Sequence, residues 1–297
     1  MNEEKAIEYA KLAIERLINE TRTKTLGISL TDEKPALLDS KIGGIPYLPK
    51  NAEIPVDKNN RQMRLLAQIN CSDLNLLDAY PHNGILQFWL TTNNRWNEYS
   101  VRYYPDMVFA QTEEEILRKI ETFHDGTEGA FPVNGEYGVA FKLGEETMGR
   151  DDKRLKALFC QYYTEISGEY ISDPEDAGDG EYGQSVYEVF EGYRDRWWRS
   201  GSKIGGYEDR TQLVDYLVYR PKEYAASYSS SWCRYVEEID MKSDDELLLL
   251  FQLKSYYRNS SDYRVLWGDA GIGRFYIKRK DLCNCDFSKV WFEWDCS

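Results

Sequence analysis

Apolar residues in the first twenty positions recur at helical spacing. Ala6, Ile7, Ala10, Ala13, Ile14, Leu17 and Ile18 form one stripe, while Glu3, Glu4, Lys5, Glu8, Lys11, Glu15 and Arg16 fill the opposite face. That pattern predicts an amphipathic helix. From about residue 25 to 108 the period changes. Short apolar and aromatic runs such as Leu65–Ile69 and Ile85–Leu90, bounded by Asn, Asp, Pro and Gly, predict strands. Thr112-Glu113-Glu114-Glu115 carries a capping-box signature, in which a threonine oxygen and a glutamate three residues on satisfy each other's backbone N–H groups. Ile116, Leu117, Ile120 and Phe123 continue it as a second helix, ending near His124-Asp125-Gly126. Residues 130–170 read as further strand and helix pieces, and Asp173–Gly180 as a loop on composition. A third helix is predicted from Gln184 to Arg199, with Val186, Val189, Phe190, Tyr193 and Trp197 on one side, before the last hundred residues return to strands.

The strand-rich stretches echo one another in order. Ser40-Lys41-Ile42-Gly43-Gly44 returns as Ser202-Lys203-Ile204-Gly205-Gly206, and Leu65–Ile69 is answered by Leu249–Leu253. Gly84–Leu90 is answered by Gly271–Ile277, and Val101 with Asp106 by Val290 with Asp295. Ordered matches of this kind mark an internal repeat. The expected organisation is one domain over 1–297, with repeat half one over 25–108, a helical and acidic insertion over 109–199, and repeat half two over 200–297. No Gly/Ser-rich or Pro-rich linker separates these parts. The expected fold is therefore α+β and internally duplicated: two similar antiparallel β-rich halves packed into one compact body, with flanking helices.

Several of these phrases also carry a resemblance. Lys41-Ile42-Gly43-Gly44-Ile45-Pro46-Tyr47-Leu48-Pro49, Leu65–Asn70, Trp267-Gly268-Asp269-Ala270-Gly271 and Trp294-Asp295-Cys296 resemble the YwqG-like family of bacterial domains of unknown function, from about residue 25 to the end. The resemblance implies a duplicated α+β fold in a bacterial cytoplasmic protein, and no biochemical activity. The second glycine motif departs from the family. Glu208 follows Gly205-Gly206-Tyr207 where similar proteins tend to have proline, so analogy supplies no ligand role for that turn.

Charge narrows the partners. The net charge of −14 is concentrated: Ala157 to Tyr193 holds nine carboxylates and no lysine or arginine, whereas residues 21–108 hold ten basic and nine acidic side chains. Such a surface repels phosphate backbones, so no nucleic-acid partner is expected. It attracts a basic protein, or it is simply a solvated face. No run reaches the roughly 18 apolar residues of a membrane span, and the N-terminal residues lack a leader pattern. A cytoplasmic location without membrane association is the expectation. The six cysteines, at 71, 160, 233, 283, 285 and 296, read as reduced thiols. Cys283-Asn284-Cys285 with Cys296 suggests a metal site, but lacks the second paired knuckle of zinc centres, and His82 and His124 lie far off in sequence. No metal or cofactor is expected.

The candidate chemistry is sparse. Gly43-Gly44 supplies positive φ or close backbone approach, and with Lys41 or Lys203 alongside, such turns either cradle an anion or simply lead into strands. Gly268–Gly273 reverses the dinucleotide fingerprint and reads as a hairpin turn before the strand Arg274–Lys278. Gln68 and Gln252, like Gln87 and Arg274, sit inside apolar strands and need partners there or across a cleft. Asp106 and Asp295 cap strand ends or form a carboxylate pair. No nucleophile-base spacing stands out. The first reading is a non-enzymatic binding protein. Its target is a basic protein on the acidic segment, with immunity- or antitoxin-like action on a basic toxin as one concrete form, or a ligand in an inter-repeat cleft. That cleft would be lined by Lys41, Gly43, Gly44, Gln68, Lys203, Gln252, Trp267, Asp269 and Asp295. The alternative is an enzyme of unknown class using Asp269, Asp295, Lys41 or Lys203 there.

Overall fold

In the computed structural model, which describes all residues except 93–95, 108–109, 121–130, 197–200, 211–215, 220–232, 237–239, 242, 260–261 and 297, and only the backbone at 194–196, 216–219, 233–236 and 259, the opening stripe forms helix α1 (Glu3–Thr21). Asn2 caps it, its side chain accepting from Lys5 N at 3.0 Å. The chain divides into two compact units. One comprises Met1–Lys24, Glu145–Ser200 and Gly206–Glu246; the other comprises Thr25–Gly144, Gly201–Gly205 and Leu247–Ser297.

The first unit is built on helices. Ala6, Ala10 and Ala13 of α1 present a small-residue face, which lets α3 (Leu155–Ser167) and α4 (Gly183–Arg196) approach closely. Phe159, Tyr163 and Phe190 fill the space between them. The N-terminal end of α3 is fixed by Arg154, which pairs with Asp152 at 2.7 Å and with Glu246 at 3.1 Å, all three largely buried. A short parallel pair, β8 (Tyr216–Tyr219) and β9 (Cys233–Val236), belongs to the same unit.

The second unit carries the sheet. Its strands are β1 (Thr23–Thr31), β2 (Lys41–Gly43), β3 (Arg64–Asn70), β4 (Ile85–Leu90), β5 (Tyr99–Tyr104), β6 (Glu136–Glu146), β7 (Lys203–Gly205), β10 (Leu247–Lys254), β13 (Ile272–Lys278) and β14 (Trp291–Asp295). They form one ten-stranded sheet in the order β14-β13-β10-β7-β1-β6-β2-β3-β4-β5, with every described pairing antiparallel. A hairpin of β11 (Tyr256–Asn259) and β12 (Asp262–Val265) and the short helices α2 (Glu113–Lys119) and α5 (Arg279–Cys283) complete the unit. The end strands meet through side chains. Tyr99 Oη donates to Val290 O at 3.0 Å, the Tyr99 ring lies 5.6 Å from Phe292, and the Tyr103 ring lies 5.3 Å from Phe287. The sheet is thus a nearly closed barrel, with Phe88 packed at 4.7 and 4.8 Å on Phe251 and Phe275 in its core.

This corrects the expected fold class. The protein is mainly β, and not an α+β pair of halves with separate sheets. The physical cause is the edge problem: a small sheet ending at β2 or β7 would leave a row of unpaired N–H and C=O groups. β1 and β6 lie between those strands and continue the hydrogen bonding. β6 also comes from the stretch expected to be a helical and acidic insertion. Its Tyr137, Val139 and Phe141 alternate at strand period and pack on the barrel core.

The echoed phrases occupy mirrored places in this one sheet. Lys41 faces Gln68 as Lys203 faces Gln252, and Gln68 faces Gln87 as Gln252 faces Arg274. A register shift falls between Leu65 and Ala67 in β3 and between Leu249 and Phe251 in β10. One proposed match slips. Ile85 faces Tyr104, whereas Ile272 faces Asp295, so Asp295 stands where the first series has Tyr104, and Asp106 lies two residues beyond. Because side chains alternate with a period of two, such a slip preserves the face and conceals itself in the sequence pattern.

Candidate functional site

The first glycine turn leaves β2 through two consecutive left-handed residues, Gly43 at φ 69° and Gly44 at φ 78°. A Cβ on Gly43 would lie 2.2 Å from Gly135 O, and one on Gly44 would lie 2.3 Å from the Glu136 carboxylate. That carboxylate fastens the turn: Glu136 Oε1 accepts from Ile45 N at 3.1 Å and pairs with Lys41 Nζ at 3.3 Å. Lys41 is buried, and burial holds its ammonium below the ordinary lysine range, with Glu136 opposing the shift. The turn does cradle an anion, but the anion is Glu136 of the same chain. The second turn is held similarly, with Tyr207 N donating to Glu146 Oε2 at 3.0 Å.

Beside the first turn lies a cavity of about 470 Å³. Gly43, Gly44, Pro46 and Gly135 bound one side, Ile54, Met63, Leu65 and Trp89 supply apolar wall, and Phe131, Val133 and Ile120 complete it. Gln62 and Arg64 are its polar side chains. The walls are fixed from behind by a buried amide relay. Gln68 Oε1 accepts from Tyr47 N at 2.7 Å and from Gln87 Nε2 at 2.9 Å, while Gln68 Nε2 donates to Leu37 O at 2.8 Å and Asp39 O at 3.0 Å. Gln87 Nε2 also donates to Tyr47 O at 2.7 Å, and Gln87 Oε1 accepts Trp89 Nε1 at 3.1 Å. The indole N–H is thereby used, and Trp89 presents the cavity with an apolar face. Val133 is positioned by pairing with Val265 and by Asn134 N donating to Arg264 O at 2.9 Å.

Of the residues expected to line a cleft, Gly43 and Gly44 reach this cavity, and Lys41 and Gln68 brace it. The others lie elsewhere in the same unit. Lys203 and Gln252 face each other, with Gln252 Nε2 donating to Gly201 O at 2.7 Å. Trp267 is fully buried against Trp96 and Trp294, and among the described residues its indole nitrogen meets no hydrogen-bond partner. Asp269 is exposed on the turn before β13. Asp295 pairs with the buried Arg274 at 2.9 Å. Arg64, Trp89, Phe131 and Val133 escaped the sequence reading. The signal available was Arg64 itself, a cation opening an otherwise apolar strand.

Residues 40–296 match the sequence model of a family described as a domain of unknown function (DUF1963). The chain belongs to the DUF1963 family. The match takes in both glycine turns and every described residue of the cavity wall, and α1 and β1 precede it. No curated protein matches the sequence.

Two further features bear on function. Within the acidic segment, Glu165 pairs with Arg16 at 2.5 Å, Asp173 with Lys156 at 2.6 Å, and Glu169 accepts from Gly178 N at 2.6 Å. Asp176 closes a capping box with Asp173, whereas Glu175, Asp179, Glu181 and Glu188 are exposed. Among the described residues, no helix is long and apolar enough to cross a membrane. Trp197, Trp198 and His124 lie outside the described residues, as does the side chain of Cys233.

Proposed function

We propose that this DUF1963 protein, within the family a YwqG-like member acting in the bacterial cytoplasm, is a non-enzymatic binding protein whose site is the cavity at the first glycine turn. The observation that carries this is the wall itself. A cavity of about 470 Å³ falls within the roughly 300–1,000 Å³ of small-molecule pockets, and its wall is held by the Gln68–Gln87–Trp89 relay. Among the described lining residues there is one ionisable side chain and no nucleophile beside a base, so the chemistry present favours holding over converting. The exposed carboxylates Glu175, Asp179 and Glu181 support a second reading, in which a basic protein docks on the first unit.

The binding reading is tested with the neutral solvatochromic dye Nile red. Saturable, stoichiometric binding is expected for the native protein, and its loss is expected in Leu65→Trp, which fills the cavity. Val133→Phe serves as a second filling variant should Leu65→Trp fold poorly. Equal dye binding by native protein and a folded filled variant overturns the proposal.

A further inference from the structure

We infer that the cavity selects uncharged, largely hydrocarbon ligands and turns away molecules of the same shape that carry an acid or a protonated base. This rests on the binding reading above. The inference comes from the way the polar groups of the wall are already committed. Gln62 Nε2 donates to Lys119 O at 2.8 Å. Arg64 stacks its guanidinium on the Phe131 ring, 4.5 Å from the centroid, and is further engaged within the protein. Trp89 Nε1 donates to Gln87 Oε1 at 3.1 Å, and beside the cavity Lys41 and Glu136 pair with each other at 3.3 Å. Each polar side chain of the described wall is thus used by the protein. What the wall offers a ligand is the apolar surface of Ile54, Met63, Leu65, Trp89 and Val133.

A charge brought into this space sheds its hydration and meets no group held ready to replace it. A carboxylate gains only by drawing Arg64 away from its present contacts. A cation meets the like charge of Arg64, the single ionisable side chain of the described wall. An uncharged body asks for nothing but apolar surface, and its gain follows the area it covers. The amide relay builds this selectivity into the fold. Gln87 takes up the indole N–H, so the aromatic residue of the wall that could have donated to a ligand presents carbon instead.

The experiment displaces Nile red from the full chain at about pH 7.5 with 1-naphthylmethanol and with 1-naphthoate, which share a ring system and differ in charge. The alcohol should bind at least about tenfold more tightly, because the carboxylate gives up hydration that the wall does not restore. Charge of the other sign is tested with 1-benzylimidazole, whose ring titrates like that of histidine, near about 6.5. Relative to 1-naphthylmethanol measured at the same pH, its affinity should rise about tenfold from about pH 5.5 to about pH 7.5, as its neutral fraction grows from roughly a tenth to nine-tenths. Leu65→Trp, or Val133→Phe should the first fold poorly, should abolish binding of every ligand. If naphthoate binds as tightly as the alcohol or more so, or if the relative affinity of benzylimidazole does not rise with pH, the charge selectivity falls, while dye loss in the filled variant leaves the binding reading standing. Absence of dye binding overturns both.

Discussion

Replacing Gln68 with leucine should destabilise the sheet unit severely despite the similar size of the two side chains. Gln68 is fully buried in the middle of β3, and its amide makes four hydrogen bonds, to Tyr47 N, Gln87 Nε2, Leu37 O and Asp39 O. The two carbonyls belong to partly exposed residues and can turn to water, so each such bond is worth about 0.5–1.5 kcal/mol. Tyr47 N and Gln87 Nε2 are buried, and a buried donor left unsatisfied costs about 1–3 kcal/mol. Gln87 Nε2 keeps its bond to Tyr47 O, which leaves Tyr47 N as the full orphan. The better burial of leucine offsets part of the loss, and the net expectation is about 3 kcal/mol.

Urea denaturation followed by tryptophan fluorescence measures this, because Trp89 hangs from the same relay through Gln87. The midpoint should fall with the slope unchanged, and the thermal midpoint should drop by roughly 6–12 °C at about 2–4 °C per kcal/mol. Gln184→Leu is the matched control, since that amide is exposed and, among the described residues, bonds to Glu188 on its own helix. It should move stability by less than about 0.5 kcal/mol. A loss below about 1 kcal/mol for Gln68→Leu would refute the claim that the relay fixes the cavity wall.

The glycine turn itself gives a sharper contrast: Gly43→Ala meets Gly135 O at 2.2 Å at φ 69°, whereas Gly168→Ala at φ 76° meets nothing within 4 Å. Gly168→Ala should therefore cost only the left-handed penalty of about 1–2 kcal/mol, and Gly43→Ala clearly more; equal losses in urea melts would remove the argument for close approach. Burial pushes the Cys71 thiol from 9.0 up to about 12, so the stability it contributes is complete below pH 9 and is lost as pH rises through 12. Mass-spectrometric mapping after maleimide treatment should find the exposed Cys283 and Cys285 modified in the native protein, and Cys71 and Cys160 only after denaturation. Native modification of Cys71 at pH 9 would contradict its placement.

The parts of this architecture that were legible in the sequence are those whose signal is local. The stripe Ala6 to Ile18 lies within one helix, and the capping box at Thr112 is closed by its own Glu115. Gln68 and Gln252 stand out as polar residues in apolar strands because each strand's period is visible by itself. What eluded the pattern is long-range. Nothing in Tyr137-Gly138-Val139-Ala140-Phe141 states that β6 will lie beside β2, since register is decided by which edge needs a partner. The cavity is hidden for the same reason: Gly43, Leu65, Trp89 and Phe131 come from four separate stretches and meet only once the strands are ordered.

The mirrored pairings also explain why the two turns need not share a function. In the first series the residue facing the buried glutamine is Gln87, whose amide can both accept from Trp89 and donate to Tyr47. In the second series Arg274 holds that place, and a guanidinium only donates. It must therefore be met by carboxylates, and Asp295 and Glu293 meet it at 2.9 and 3.3 Å. The ion pair occupies Asp295, the residue that looked available for acid-base work, and breaking such a buried pair costs roughly 3–5 kcal/mol. Tyr276 stands where the first series has Trp89, and its hydroxyl donates to Glu293 at 3.1 Å. One exchange, amide for guanidinium, thus turns a relay that frees an aromatic face into a network that consumes its carboxylates.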